Sequence, residues 1–257
     1  MIPINSKYEI DQLTAAGRIV GEVLELMSEK IIPGISTKEL DKIAEDYIIR
    51  NGALPSFKGQ PGFSGAKPFP ATLCVSINDQ VIHGIPDHRI LKEGDIISID
   101  VGACYNGYHG DAARTYAVGR CSPEALRLIA VTEESFFKGL EKVLPGNRII
   151  DVSGAIQDHV EAAGYTLVRE FTGHGVGREL HEEPEIPNYR TKFRGPRMQN
   201  GMALAIEPMV IDGERAIFID EKNRWTVYTE DGSLAAHYEN TVIVNENEPI
   251  ITTLIKK

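Results

Sequence analysis

Two stretches of this chain carry the same punctuation. Pro33-Gly34 breaks one helical stripe, and Gly52 ends the helix that follows. Pro145-Gly146 and Gly164 repeat that pattern at a constant shift of about 112 residues. The stripes match as well. Ile10, Leu13, Val20, Leu24, Met27 and Ile31 recur at helical spacing over residues 8 to 30. Ser36-Thr37-Lys38-Glu39 then opens a second helix as a capping box, with Leu40, Ile43, Tyr47 and Ile48 on one face. In the later copy, Ser122 caps a helix with Pro123 at its first position. That helix runs through Leu126, Ile129, Phe136, Leu140 and Leu144, and Val152, Ile156 and Val160 mark the next. The pattern reads as an internal duplication: helix, Pro-Gly, helix, then strands.

Each half ends in strands. The first offers Thr72 to Ile77 and a hairpin over 96–117. The second offers Met202 to Val210, Ala216 to Ile219, Trp225 to Thr229 and Ala235 to Val244. Two such halves predict an α+β fold with pseudo-two-fold symmetry, helices outside and strands inside. A site would then lie between the halves. The long irregular loop 55–70 is expected to line a pocket. No linker is visible, so residues 1–257 form one domain with halves of about 1–120 and 121–257.

The hairpin carries the first chemical signal. Asn106-Gly107 supplies the two positive-φ residues of a type I′ turn. A turn centred there sets Gly102 opposite Asp111 and Asp100 opposite Ala113. Both aspartates then share one face as diagonal cross-strand neighbours. Two carboxylates among Ile, Val, Gly and Ala are costly to bury without a positive charge between them. Three further candidates follow. His174 stands between glycines in Thr172-Gly173-His174-Gly175-Val176-Gly177, which leaves its imidazole unobstructed. Glu207 ends an apolar strand, and Glu239 stands at the mouth of a β-branched one. Four carboxylates and one imidazole suit two divalent ions such as Mn²⁺, Fe²⁺, Co²⁺ or Zn²⁺, and a two-metal site performs hydrolysis.

Composition excludes several classes. At 42% hydrophobic and 25% charged, the chain can build a full core, and its apolar runs are too short to span a membrane. A formal net charge of -10 argues against a general nucleic-acid binder. Cys74, Cys104 and Cys121 form no disulfide pattern. The stretch Met1-Ile2-Pro3-Ile4-Asn5 lacks the features of a signal peptide, so a cytoplasmic location is expected.

Taken together, Asp100 and Asp111, the run Thr172 to Pro184, Ile206-Glu207-Pro208-Met209 and Tyr238-Glu239-Asn240-Thr241 resemble the type I methionine aminopeptidases. His83-Gly84-Ile85-Pro86 with Asn78 before it resembles the same family. The resemblance spans nearly the whole chain and implies the pita-bread fold, two pseudo-symmetric α/β halves with a central antiparallel sheet. It implies removal of N-terminal methionine from nascent proteins and peptides with a small second residue. Asp100, Asp111, His174, Glu207 and Glu239 would hold two divalent ions, and Glu207 would also act as general base. His83 would contact the scissile amide, and His181 would steady the oxyanion. Phe69, Cys74 and Trp225 fall where the family lines its methionine pocket. Leu180 and Asn240 depart from the residues many members carry, phenylalanine and histidine. An X-Pro aminopeptidase of the same fold and a non-catalytic binding relative are the alternatives. The partners expected are nascent-chain N-termini, met by a monomer that binds no membrane. The basic run Arg190, Lys192, Arg194 and Arg197 offers a docking loop for the ribosome.

Overall fold

The computed structural model describes residues 2–62 and 65–255. Helix α1 spans Lys7–Lys30, and Ser6 caps it with Glu9 in a reciprocal capping box. Helix α2, Thr37–Arg50, begins the same way at Ser36 and Glu39. Gly52 follows with φ 74, a left-handed conformation that glycine adopts without a Cβ penalty. The apolar stripes of both helices pack on the strands Leu73–Ile77 and Ile96–Tyr105: Val20, Leu24, Met27, Leu40 and Ile48 meet Val75, Ile97, Ile99 and Val101.

The hairpin has the expected register. Its arms, Ile96–Tyr105 and Tyr108–Ala117, place Gly102 opposite Asp111 and Asp100 opposite Ala113. Asn106 and Gly107 turn the chain with φ 52 and 79. Alternation along the first arm does the sorting. Ile97, Ile99, Val101 and Ala103 face the helices, so Asp100 faces the other half. The hairpin lies close on α1, because a Cβ at Gly110 would stand 2.7 Å from the Cα of Gly17.

The second half repeats the plan. Helices α3, Pro123–Leu140, and α4, Ile149–Ala162, pack Leu128, Phe136, Val152, Ile156 and Val160 against Leu204, Ile206, Val210 and Val242. Helices α2 and α4 are both 14 residues long. After each helix the chain closes alike: Ala53 N–H donates to Ile48 O, and Tyr165 N–H to Val160 O. Losing a buried ring such as Phe136 costs about 3–5 kcal/mol. Two helix details differ from expectation. Helix α3 stops at Leu140, so Leu144 lies beyond it, and Leu126 is 48% exposed.

All strand pairs among the described residues are antiparallel. Two expected long strands are each divided. Ala203–Ile206 and Met209–Ile211 flank Glu207-Pro208, and Ala235–His237 and Asn240–Ile243 flank Tyr238-Glu239. Pro208 has no N–H to give a ladder, which removes one bond at the break. The register is the same on both sides, with Ile206 opposite Asn240 and Met209 opposite His237. Glu207 therefore lies across from Glu239 in the gap. Of the other expected strands, Ala216 to Ile219 forms as Ile217–Ile219 and Trp225 to Thr229 as Val227–Thr229, which leaves Trp225 just outside regular structure.

The halves join where Gln80–Ile82 pairs with Val227–Thr229, and along a seam beside the cavity. Glu239 N–H donates to Ala113 O at 2.9 Å, and Ala113 N–H returns to Glu239 O at 3.3 Å. Threonines reinforce both ends: Thr241 Oγ1 bonds the backbone of Asp111, and Thr115 Oγ1 bonds that of His237. No described helix is long and apolar enough to cross a membrane.

Candidate metal centre and active site

A cavity opens between the halves, with about 480 Å³ of space counting its solvent-open mouth. Its lining includes Asp100, Asp111, His174, Glu207 and Glu239, and also His83, His181, Phe69, Cys74 and Trp225. Every site residue expected from the sequence is thus brought to one place. Ligand atoms of Asp111, His174 and Glu239 lie within 4.8 Å of one another. His174 Nε2 is 3.7 Å from Glu207 Oε1 and 3.9 Å from Asp111 Oδ2.

The backbone explains this convergence. Asp100 and Asp111 come from the inward face of the hairpin, and the seam sets Glu239 beside them. His174 comes from the short strand Gly173–Gly175. A side chain at Gly173 would collide with the carbonyl of Ala205, and one at Gly175 with that of Glu183. Only glycine permits that approach. His174 Nδ1 lies 2.8 Å from Gly175 O. Donation there leaves the Nε2 lone pair facing the carboxylates, the orientation a metal ligand needs.

Electrostatics give the site its character. Burial lifts the Asp100 carboxyl to about 7, with Glu207 adding to it. Burial alone lifts Glu207 to about 8. Asp111 and Glu239 are raised well above the usual range, by burial and then by the other carboxylates. Burial lowers His174 to about 3 and His83 to about 4, so both imidazoles are neutral near pH 7. Asp100 Oδ1, Asp111 Oδ1 and Glu239 Oε1 are buried without a protein donor. Orphaned carboxylate oxygens, mutual repulsion and a neutral imidazole fit divalent cations as the missing partner.

The remaining lining divides into a polar rim and an apolar corner. His181 stacks edge-on to His174 with ring centroids 4.4 Å apart. His83 holds φ 57, a strained left-handed backbone for a non-glycine residue, and strain of this kind concentrates at functional sites. The ring of His83 meets Phe171 and Trp225 edge-on. Phe57, Phe69, Ala71, Cys74, Leu180 and Trp225 form the apolar corner. Trp225 Nε1 donates to Lys67 O at 2.9 Å, which fixes its ring against Phe69. Burial pushes the Cys74 thiol up, so it stays an uncharged wall.

Residues 11–246 match the model of metallopeptidase family M24. A methionine aminopeptidase of Clostridium acetobutylicum is 54% identical over 99% of both chains. The chain belongs to family M24, among its methionine aminopeptidases. A solved methionine aminopeptidase of Rickettsia prowazekii superposes with a TM-score of 0.94 at 36% identity, covering 99% of this chain and 100% of that one. The pita-bread architecture implied by the resemblance is therefore the observed one, and its two halves agree with the duplication. The prolidase of Pyrococcus furiosus superposes at 0.75 with 23% identity, and this chain covers 66% of it. That second likeness shows the fold alone.

Within the family pattern, the two departures now have surroundings. Leu180 is buried in the apolar corner. Asn240 is buried on the far side of the seam, where its Oδ1 accepts from Arg114 Nη2 at 2.6 Å and Thr253 Oγ1 at 2.8 Å. Arg114 also donates to the carbonyl of Glu239 and lies 4.1 Å over the Tyr238 ring. Sequence reasoning missed three residues. Phe57 and Gln60 line the cavity from loop 55–70, whose length was the available signal; its residues 63 and 64 lie outside the described ones. His237 lies behind Glu207 and Glu239, at the end of the strand Ala235–His237 and just before the gap that holds Glu239.

Proposed function

We propose that this chain removes N-terminal methionine from peptides and nascent proteins whose second residue is small. The supporting observation is one cavity that joins a polar wall of four carboxylates and an imidazole to an apolar, aromatic-containing corner, a surface that suits an unbranched thioether. Asp100, Asp111, His174, Glu207 and Glu239 hold two divalent ions in this reading, Mn²⁺, Fe²⁺, Co²⁺ or Zn²⁺. When bound, the ions supply Lewis acidity and an activated water. The residues do the rest. Phe69, Cys74, Trp225, Phe57 and Leu180 bind the thioether side chain. Asp100 orients the free α-amine. Glu207 takes the proton from the attacking water, and His181 donates to the oxyanion as the tetrahedral centre forms. His83 holds the scissile amide and passes a proton toward its nitrogen.

The test pairs two substrates. Metal-loaded protein should release methionine from Met-Ala-Ser and leave a Gly-Pro peptide intact. Chelation should abolish the release, and added metal should restore it. Cleavage of the Gly-Pro peptide alone would move the chain to the X-Pro class, and full activity after exhaustive chelation would sink the metal mechanism.

The cytoplasm is the proposed compartment, a monomer the proposed state and the ribosome the proposed docking partner. The surroundings of the basic loop narrow that docking surface. Arg190 is engaged in a two-pronged pair with Asp158, and Arg197 donates to Gly146 O. Lys192 and Arg194 are exposed beside Phe193, which is 85% exposed. Ribosome co-sedimentation should therefore weaken when Lys192 and Arg194 become Ala, and weaken steeply with salt. Equal, salt-insensitive binding by the variant would remove this loop as the contact.

A further inference from the structure

His237 is a buried polar group beside the site that the mechanism above leaves unused. It ends the strand Ala235–His237, and its side chain is 2% exposed. Its backbone is locked. The N–H donates to Thr115 Oγ1 at 2.9 Å, and the carbonyl accepts from the same hydroxyl at 2.9 Å. Thr115 is tied in turn to Ser98 Oγ at 2.8 Å. The imidazole is therefore delivered from a rigid seam and not from a loop.

Its Nε2 is buried with no hydrogen-bond partner. Two acceptors stand just out of reach, Glu207 Oε2 at 3.6 Å and Glu239 Oε2 at 3.9 Å. The first is the nearer, and its surroundings are asymmetric. Glu207 Oε1 looks toward His174 Nε2 at 3.7 Å, while Oε2 looks toward His237. One carboxylate thus lies between two imidazoles, one on each oxygen. We propose that His237 is a positioning residue that donates from Nε2 to Glu207 Oε2 and fixes the rotation of that carboxylate. Closing the gap takes a movement of about 0.5 Å, within the play of a glutamate side chain. The inference rests on the general-base reading of Glu207. Holding one oxygen back presents the other toward the substrate side, and a carboxylate free to spin would present either.

Two substitutions separate this role from packing. His237→Leu fills similar space without a donor. His237→Gln returns an amide N–H at a similar distance from the backbone. The leucine variant should lower kcat about 10–100-fold at nearly constant KM, the usual cost of losing a partner that orients a ligand. Calorimetric titration of metal-free protein with Mn²⁺ should show a weakened site in the same variant. The glutamine variant should restore both turnover and Mn²⁺ affinity to within about threefold of wild type. Leucine behaving like wild type would overturn the inference. So would glutamine failing as badly as leucine while its melting temperature and circular dichroism match wild type. If the leucine variant does not fold, the glutamine variant decides alone on the same two readouts. Wild type that takes up Mn²⁺ and cleaves Met-Ala-Ser while leucine is harmless would leave the proposed function standing. Wild type that does neither would overturn that function and this role with it.

Discussion

The two carboxylate pairs of the site are held in opposite ways. Asp100 and Asp111 stand inside a hairpin whose ten-residue arms pair without interruption. Glu207 and Glu239 stand in a gap where two strands both lose their regular pairing and then resume it in the same register. In the hairpin, the ladder decides where each side chain points, and a short aspartate suffices. In the gap, the backbone has stepped out of the ladder, and the longer glutamate carries the carboxylate into the cavity. A regular element gives direction, and an interruption between regular elements gives approach.

The largest expected effect asks whether the two pairs are equivalent. Asp111→Ala and Glu239→Ala should each lose bound metal and all peptidase activity, read by metal analysis after dialysis. If Glu239→Ala keeps its metal while Asp111→Ala does not, the gap pair serves the reaction and not the ions. Next in size is His181→Ala, which belongs to neither pair. It should lower kcat about 10²–10³-fold with metal content unchanged. Loss of metal in that variant would place His181 among the ligands.

A third measurement takes both pairs together through pH. The buried carboxyls titrate higher in the folded protein than in the unfolded chain, Asp100 at about 7 and Glu207 at about 8. Below about pH 6.5 the buried imidazoles of His83, His174 and His237, lowered to about 4, 3 and 4, hold fewer protons folded than unfolded and offset the carboxyls. Between about 6.5 and 8 the carboxyls alone leave the metal-free folded state with more protons than the unfolded state. Its stability should therefore fall as pH rises from about 6.5 toward 8, by several degrees in melting temperature. Metal-loaded protein should lack that fall. A flat profile for the metal-free form would mean that the four carboxylates are hydrated and not confined. The smallest effect tests the hairpin alone. Gly107→Ala forces a side chain into φ 79 and should cost about 1–2 kcal/mol by denaturant titration, with metal content retained.

Much of this was legible in the sequence, and the reason differs by region. Asn106-Gly107 dictates a turn, the turn dictates register, and period two dictates the face of Asp100 and Asp111. The capping boxes at Ser36 and the proline at Pro123 fix helix starts by local chemistry. The gap was only half legible: Pro208, which has no N–H for a ladder, marks the pause in the apolar run Met202 to Val210, whereas Ala235 to Val244 reads as one continuous strand. Nothing local marks the second pause; Tyr238-Glu239 leaves the ladder opposite Glu207-Pro208, far away in sequence. His237 escaped notice for a related reason. Its importance comes from Thr115 and Glu207, which lie far away in sequence.

The close approach of α1 to the end of the chain has a consequence for synthesis. Gly17 has no room for a side chain because Thr252 lies against it, and a Cβ at Gly21 would stand 2.6 Å from the carbonyl of Thr253. The same Thr253 reaches Asn240, next to Glu239. Helix α1 leaves the ribosome early, and Thr252 and Thr253, which lie against it, are made long afterwards. At about 5–20 residues per second, that interval lasts on the order of ten to fifty seconds. During it, the glycine face of α1 stays uncovered while its apolar stripe already packs on the hairpin. Thr252 and Thr253 thus close over the first helix only after every candidate site residue of both halves has been made.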